Sequence, residues 1–404
     1  MTQTPRGLPM QPPLRNLRVL DLTHFLSGPF ATMILGDLGA EIIKIEPPGG
    51  DPTRQIPPFH DDGVGTFYFS VNRNKKSLVL DLKRDDDRET FLSLVETADV
   101  VCENFRPGVL ERLGIGYDTL VERKPDIVLC SIFGFDSEGE YADRPAVDTL
   151  VQALSGIMSL TGERDGPPAR VGIQIGDTGA GLWAAIAVLA GLQGRHADGK
   201  PRHVEVSLFD AQLGLLVWQA QDFLSFGTVY TRMGTRHATL PPSQAFRCAD
   251  GRYVYATPSA LPRWWRGYCE ALHLPHLETD ARFADLSLRQ RNREVLETLL
   301  EAQFASRDSD YWVEQFRKHG VPAALVQTVK EAFEFPTVER RNMIVNVSHA
   351  NGSVARMVGN PVKTGSEERF TMPPGLGEHT NEILENLKTG SGNHDEHGKQ
   401  SGVV

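Results

Sequence analysis

Leu17 to Glu46 reads LRVLDLTHFLSGPFATMILGDLGAEIIKIE. It opens on an apolar, β-branched run, Leu17–Leu22, and closes on a second, Ile42–Glu46, with a helical pattern over Phe30–Leu38 between them. That is about the length of one βαβ unit. The turn Thr23-His24-Phe25-Leu26-Ser27-Gly28-Pro29 joins strand to helix: Gly28 permits close backbone approach and Pro29 suits a first helical turn. It is not G-x-G-x-x-G, so the dinucleotide fingerprint is missing. The near-match Gly114-Ile115-Gly116 lacks the third glycine and follows no strand. A nicotinamide enzyme is therefore disfavoured.

The alternation continues outward. Leu78–Leu82, Val100–Glu103, Ile127–Ile132 and His203–Leu208 read as strands, with helical patterns over Asp86–Thr97 and Gly179–Leu192. Alternating strands and helices predict an α/β fold with a parallel sheet covered on both faces. Around Asp210 the character changes. Gly227–Pro242 is loop-like, Cys248–Arg252 reads as a hairpin turn, and amphipathic helices follow over Arg263–Leu272, Arg289–Ala305 and Tyr311–Lys318. Leu325–Val329 and Val345–Val362 return to strand patterning. These shifts predict a large α/β domain over residues 1–224, a smaller α+β domain over 225–335, and a return to the first over 336–387, a stretch too short for its own core. Residues 388–404, rich in Gly, His, Asn and Lys, read as a disordered tail. His394 and His397 there are more simply solvated than metal-bound.

Composition narrows the function. Of 404 residues, 40% are hydrophobic and 23% charged, an ordinary globular balance. Acidic residues outnumber basic ones 52 to 42, a net charge of −10, which argues against a surface built for nucleic-acid phosphates. The four cysteines, Cys102, Cys130, Cys248 and Cys269, form no C-x-x-C pair, as expected of a reduced cytoplasmic protein without a disulfide or metal framework. Met1–Pro13 is polar, with no secretory h-region. The apolar run Ala180–Leu192 is too short and glycine-punctuated to span a bilayer and reads as a core helix, so no membrane partner is expected.

Several segments could carry chemistry. Gln174-Ile175-Gly176-Asp177-Thr178-Gly179-Ala180-Gly181 precedes the long apolar helix, and its glycines let other groups come close. Asp177 there reads either as a helix cap or as a catalytic carboxylate, and capping is the ordinary role for Asp beside unsatisfied N–H donors. Asn72-Arg73-Asn74-Lys75-Lys76-Ser77 puts three cations before a predicted strand. Glu103-Asn104-Phe105-Arg106-Pro107-Gly108, leading to Arg112, combines cations with an aromatic, as a nucleotide with phosphates and a stackable base requires. Each cluster alone reads more simply as solvated charge, and the cationic loop Arg232-Met233-Gly234-Thr235-Arg236-His237 is of weak specificity by itself. There is no H-E-x-x-H, G-x-S-x-G or Walker loop. Trp264-Trp265 reads as core or domain interface.

Taken in order, these motifs resemble family III CoA-transferases, the CaiB/BaiF group. The resemblance runs through Leu20–Thr23, Ser27–Pro29, Leu38–Glu46, Gly50–Arg54, Asn72–Ser77, Glu103–Gly108, Ser131–Phe135, Gly176-Asp177, Val206–Asp210 and Gly377–Thr380, roughly residues 14–387. It implies a Rossmann-like large domain, a small α+β domain and an interlocked homodimer. The implied reaction moves CoA from an acyl-CoA to a free carboxylic acid through aspartyl-anhydride and aspartyl-CoA thioester intermediates. Asp177 falls on the family's catalytic aspartate. The CoA thioester is substrate, and no metal or other cofactor is implied. Asn104, Phe105, Arg106 and Arg112 match the CoA-contacting segment, and Lys76 is the expected phosphate partner. Tetrahedral oxyanions would need backbone N–H donors, expected from the glycine-rich segments. Formyl-CoA transferases carry four consecutive glycines where Gly234–His237 stands. Asn72–Ser77 and Arg232–His237 look more like succinyl-CoA-dependent dicarboxylate transferases, making Arg73, Arg232, Arg236 and His237 the expected acceptor-binding residues. The α-methylacyl-CoA racemases share the fold but need a histidine where Ala146-Val147-Asp148 has Val147.

Overall fold

The structure, a computed structural model, describes residues 10–60, 63–348 and 354–390. It divides into two compact units: the described residues of 1–155, 172–217 and 338–404 form the first, and those of 156–171 and 218–337 the second. Of the expected tail, Lys388 and Thr389 end a helix, Thr380–Thr389, and residues from 391 on, with His394 and His397, lie outside the described residues.

The first unit is built on six parallel strands: β1 (Arg18–Asp21), β2 (Glu41–Glu46), β3 (Lys75–Val79), β4 (Val100–Glu103), β5 (Val128–Phe133) and β6 (Arg202–Ser207). Their order is β3-β2-β1-β4-β5-β6, the doubly wound arrangement in which strand order reverses between β1 and β4. Helices α1 (Ser27–Asp37), α2 (Thr66–Val71), α3 (Asp85–Val95), α4 (Val109–Arg112), α5 (Tyr117–Arg123) and α6 (Asp148–Leu154) follow the strands. After α7 (Ile157–Leu160), which belongs to the second unit, come α8 (Ile175–Asp198) and α9 (Leu208–Leu215) of the first, and α10 (Val217–Phe226), which from Trp218 on belongs to the second. Strand alternation sorts the core: Leu20, Ile43, Val101 and Leu129 pack with α3, α4 and α5, while Val19, Ile42, Val100, Val128 and Cys130 pack with α1 and α8. Burial on both faces makes these strands near-continuous apolar runs.

Two elements differ from the sequence reading. β3 begins at Lys75 rather than Leu78, so two cations expected in a loop lie within the sheet. Lys75 can be there because its ammonium donates to Asp21 Oδ2 at 2.9 Å, the Pro29 carbonyl at 3.0 Å and Asn72 Oδ1 at 3.0 Å. α8 runs well past both ends of the apolar stretch. Its glycines mark close approaches: a Cβ on Gly181 would stand 2.6 Å from the Ser27 carbonyl oxygen of α1. By length and composition alone α8 could cross a bilayer; one face nonetheless packs on α1, β5 and β6.

The second unit holds the antiparallel sheet β7 (Gln244–Arg247), β8 (Tyr253–Ala256) and β9 (Ala323–Leu325), with the predicted turn at Cys248–Arg252 joining the first two strands. Its core is aromatic: Phe246 stacks on Phe304 at 4.4 Å, Trp265 is 2% exposed, and Trp312 donates to the Phe304 carbonyl. The predicted helix Arg289–Ala305 is broken at Asn292 into Leu286–Arg291 and Arg293–Phe304. The strand pattern of Val345–Val362 resolves into an antiparallel pair, β10 (Ile344–Ser348) and β11 (Val354–Val358), in the first unit.

Candidate active site

In open α/β sheets ligands settle at the carboxyl ends of the strands where their order reverses. Here that point lies between β1 and β4, and a cavity of about 540 Å³ opens there, lined by Phe25–Ser27 after β1, Asn104–Pro107 after β4, Ile132–Gly134 at the end of β5, Ala142 and Arg144–Thr149 leading into α6, and Gln174 and Asp177 at the start of α8.

Buried charge holds the first wall. The Asp21 carboxylate accepts from the Thr23 N–H at 2.9 Å, the Thr32 hydroxyl at 2.8 Å and Lys75. Burial alone would raise its pKa; Lys75, Lys44 and the Thr23 hydroxyl override that and hold it well below the usual carboxylate range. Lys44 donates to the Thr23 carbonyl at 2.7 Å and pairs with Asp51 at 3.1 Å. The turn beyond is strained: Phe25 sits at φ 63°, rare outside glycine, with its ring half-exposed at the cavity. The Asn104 amide clamps the preceding residue, accepting from the His24 N–H and donating to its carbonyl, both at 2.8 Å. Asn104 thus shapes the cavity through the backbone. Phe105 meets the His24 ring edge-on at 5.5 Å.

Asp177 stands in the first turn of α8, half-buried, and does not cap it. That role belongs to Asp148, whose Oδ1 accepts from the N–H groups of Gly176 at 2.7 Å and Asp177 at 3.3 Å while Oδ2 accepts from Gln152 at 2.6 Å. A Cβ on Gly176 would stand 2.2 Å from Gln212 Nε2 and 2.9 Å from Asp148 Oδ1, so only glycine admits these neighbours. Among the described residues the Asp177 carboxylate has neither a hydrogen bond nor an ion pair. Desolvation, and then the Asp148 charge, push its pKa up to about 7. An unpaired carboxylate facing a cavity is equipped to be a nucleophile.

In the glycine-rich segment around Asp177, four backbone donors are already engaged. The Ile175 N–H donates to the Ile173 carbonyl, that of Thr178 to the Gln174 carbonyl, and those of Gly176 and Asp177 to Asp148. The cavity's cations are Arg106 and Arg144. Arg106 is exposed and has no ion pair among the described residues; Arg144 lies over the Tyr141 ring at 4.0 Å and pairs with exposed Glu140 at 2.8 Å.

Of the residues singled out from sequence, the structure brings Asp177, Asn104, Phe105 and Arg106 to one cavity. Arg112 is exposed on α4, its guanidinium folded against Gly108. Lys76 is not brought there: at the amino-terminal edge of the sheet it is held by Glu41 at 3.0 Å and Glu382 at 2.8 Å. Nor is Arg73, whose buried guanidinium is paired with Asp37 and stacked on Phe370. Arg232, Arg236 and His237 belong to the second unit. There Arg232 donates to the Gly166 carbonyl at 3.1 Å, Arg236 pairs with buried Glu297 at 2.8 Å, and His237 stacks on Trp218 at 5.7 Å. Sequence reasoning gave no role to Phe25, Arg144 or Asp148. The first two carried no signal, and Asp148 entered only as the neighbour of the missing racemase histidine. Val147 lines the cavity at that place, and no histidine does among the described residues.

A doubly wound sheet with an unpaired carboxylate in the cavity at its switch point defines an α/β protein with a ligand site at the carboxyl ends of its strands. The chain matches CoA-transferase family III over residues 14–380 and belongs to that family. It is 38% identical to the succinyl-CoA:mesaconate CoA-transferase of Haloarcula hispanica, over 94% of this chain and 97% of that one. It is 40% identical to the acetyl-CoA:oxalate CoA-transferase of Acetobacter aceti (90% and 92%) and 35% identical to the human succinyl-CoA:glutarate CoA-transferase (93% and 86%). Among solved structures it is similar to a CaiB/BaiF family protein from Brucella suis, with TM-score 0.84 and 34% identity over 94% of this chain and 100% of that one. The protein is a family III CoA-transferase; racemase chemistry is not favoured.

Proposed function

We propose that this enzyme moves CoA from succinyl-CoA to a dicarboxylate with Asp177 as the covalent nucleophile. A carboxylate oxygen of Asp177 attacks the thioester carbonyl, the C–S bond breaks, and CoA leaves as thiolate. The product is a mixed anhydride on Asp177. The thiolate then attacks the aspartyl carbonyl, expelling the donor acid and leaving an aspartyl-CoA thioester. The acceptor carboxylate displaces the thiolate, forming a second anhydride, and the thiolate attacks the acceptor's acyl carbon and regenerates Asp177. No proton moves and no further cofactor is called for, so an ionised Asp177 and exclusion of water are what the chain must supply.

The observation that carries this reading is the unpaired Asp177 carboxylate at the cavity. Dicarboxylates are supported by the relatives, which include mesaconate, glutarate and oxalate CoA-transferases. The acceptor's remote carboxylate needs a cation, and Arg144 is suited to it, because its exposed partner Glu140 is worth little and is readily exchanged. Arg106 is left for the CoA phosphates or the developing oxyanion. We extend the proposal to an interlocked homodimer in the cytoplasm. Exposed apolar side chains on α8 and four buried free thiols support it.

The test is a covalent one. With succinyl-CoA and no acceptor, hydroxylamine should convert one carboxyl of the protein to a hydroxamate, mapped to Asp177 by peptide mass. Labelling elsewhere, or none, would overturn the assignment.

A further inference from the structure

Behind the cavity wall, on the sheet face opposite α8, three side chains from adjacent strands join in one hydrogen-bonded line. Glu103 ends β4 and is 3% exposed; its Oε2 accepts the Phe105 N–H at 2.7 Å. Its carboxyl also hydrogen-bonds the hydroxyl of Ser131, its register partner on β5 and 1% exposed. Ser131 Oγ lies 3.0 Å from His203 Nε2 on β6. The His203 ring stacks on Tyr117 of α5 at 5.1 Å, and its side chain is 31% exposed. One end of the line therefore reaches solvent, and the other holds the backbone of a residue lining the Asp177 cavity.

We propose that Glu103, Ser131 and His203 form a proton relay that couples a surface imidazole to the placement of Phe105, making Glu103 a positioning residue for binding the CoA thioester. The inference rests on reading the Asp177 cavity as the thioester site. The relay has two states. In one, protonated Glu103 donates to Ser131 Oγ and the Ser131 hydroxyl donates to neutral His203. In the other, both protons have moved one bond outward: Glu103 is a carboxylate accepting from Ser131, and His203 is an imidazolium donating to it, which releases a proton to solvent as pH rises and leaves Glu103 ionised. An ionised carboxylate holds the Phe105 N–H with a charge-assisted bond roughly twice as strong as the neutral one.

The surroundings bring the two groups within reach of each other. Burial, with repulsion from Glu111 of α4 and Glu205 of β6, outweighs the bonds from Ser131 and Phe105 and pushes Glu103 up to about 7. Burial lowers His203, against the opposing charges of Glu205 and Glu111. Tyr117, itself raised by burial, covers the imidazole, and His24 from the β1–α1 turn meets the Phe105 ring.

The experiment measures succinyl-CoA affinity by calorimetry from about pH 5.5 to about pH 8.5, a window bracketing the His and raised-carboxyl range. Asp177→Asn protein is used throughout, so that neither turnover nor the Asp177 titration contributes. Affinity is compared with and without Glu103→Gln, and the ratio is read because titration of the CoA phosphate cancels in it. The unsubstituted relay should gain about tenfold over Glu103→Gln between the acid and alkaline limits. His203→Gln, which keeps a partner for Ser131 but carries no proton, should move the midpoint to higher pH. A pH-independent ratio, or an unmoved midpoint in His203→Gln, would overturn the relay while leaving the transferase reading intact. Should Glu103→Gln not fold, the ratio of affinities with and without His203→Gln, in which the phosphate titration also cancels, decides alone, and a pH-independent value of it overturns the relay. Absence of succinyl-CoA binding in every variant would overturn both readings.

Discussion

At Asp177 the desolvation that makes a reactive carboxylate also makes a costly one. Its pKa is raised to about 7, so the reactive anion accumulates only as pH rises through that value, and kcat should climb along an acid limb and level off above it. Asp177→Asn should lower kcat by several orders of magnitude, as other nucleophile deletions do; retention of more than about a tenth of the rate would count against the nucleophile. The same substitution should stabilise the fold. A carboxyl raised in the folded state binds more protons there than when unfolded, so its contribution to stability falls as pH rises between the ordinary carboxylate range and about 7. Asp177→Asn removes that loss, worth about 1–2 kcal/mol at pH 8 after allowance for partial exposure, with nothing gained at pH 4. Urea denaturation at the two pH values checks it. Asp148→Asn lifts one source of the shift and should carry the acid limb of kcat to lower pH. An unmoved limb would mean that burial alone sets it.

At the scale of elements, α8 and the strands beside it show which features a sequence displays. The apolar run of Ala180–Leu192 and the alternating β-rich segments were legible because burial on one face or both imposes a period, and the parallel sheet followed from their order. The start of β3 was not legible: Lys75 and Lys76 look like loop residues until Asp21, distant in sequence, is seen to neutralise the first and Glu41 the second. The full length of α8 was hidden for the converse reason, since its glycines read as interruptions but serve close approach to α1. Site residues divide the same way. Asp177 was singled out through a string of motifs, whereas Asp148, Phe25 and the Glu103–Ser131–His203 line depend on contacts between distant segments. Two stability predictions follow from these contacts. Gly181→Val would drive a side chain into the Ser27 carbonyl and should cost about 1–3 kcal/mol, read from the urea midpoint. Lys75→Met leaves the Asp21 carboxylate buried without its closest cation and should cost about 3–5 kcal/mol at neutral pH. Asp21 is held below its ordinary range, so its stabilisation is present above the unfolded carboxylate pKa and lost as pH falls through the folded one. The penalty of Lys75→Met should accordingly shrink in acid.

For the whole molecule the unexplained quantity is apolar surface. Leu182 and Ile186 on α8 are 52% and 53% exposed, Trp183 between them 43%, and on α10 Leu224 and Phe226 are 76% and 79% exposed. Isolated exposed hydrophobics are ordinary, but a large aromatic flanked by aliphatics along one helix marks a surface made to be covered. A net charge of −10 favours solubility without hiding such a face. A second copy of the chain is the simplest cover, and an obligate homodimer commonly buries about 2,000–5,000 Å². If the copies also thread through each other, separation requires unfolding, so dilution cannot shift the equilibrium as it does for docked subunits. The protein should therefore sediment at twice the 44.7 kDa chain mass, unchanged down to nanomolar concentration. Pairing Trp183→Glu with Ile186→Glu places two charges on that face and should abolish the dimer or leave the chain aggregated. A reversible monomer on dilution of the unsubstituted protein would exclude interlocking while permitting an ordinary dimer. If the doubly charged variant instead kept the sedimentation and thermal midpoint of the parent, α8 would face solvent and the partner would have to cover another surface.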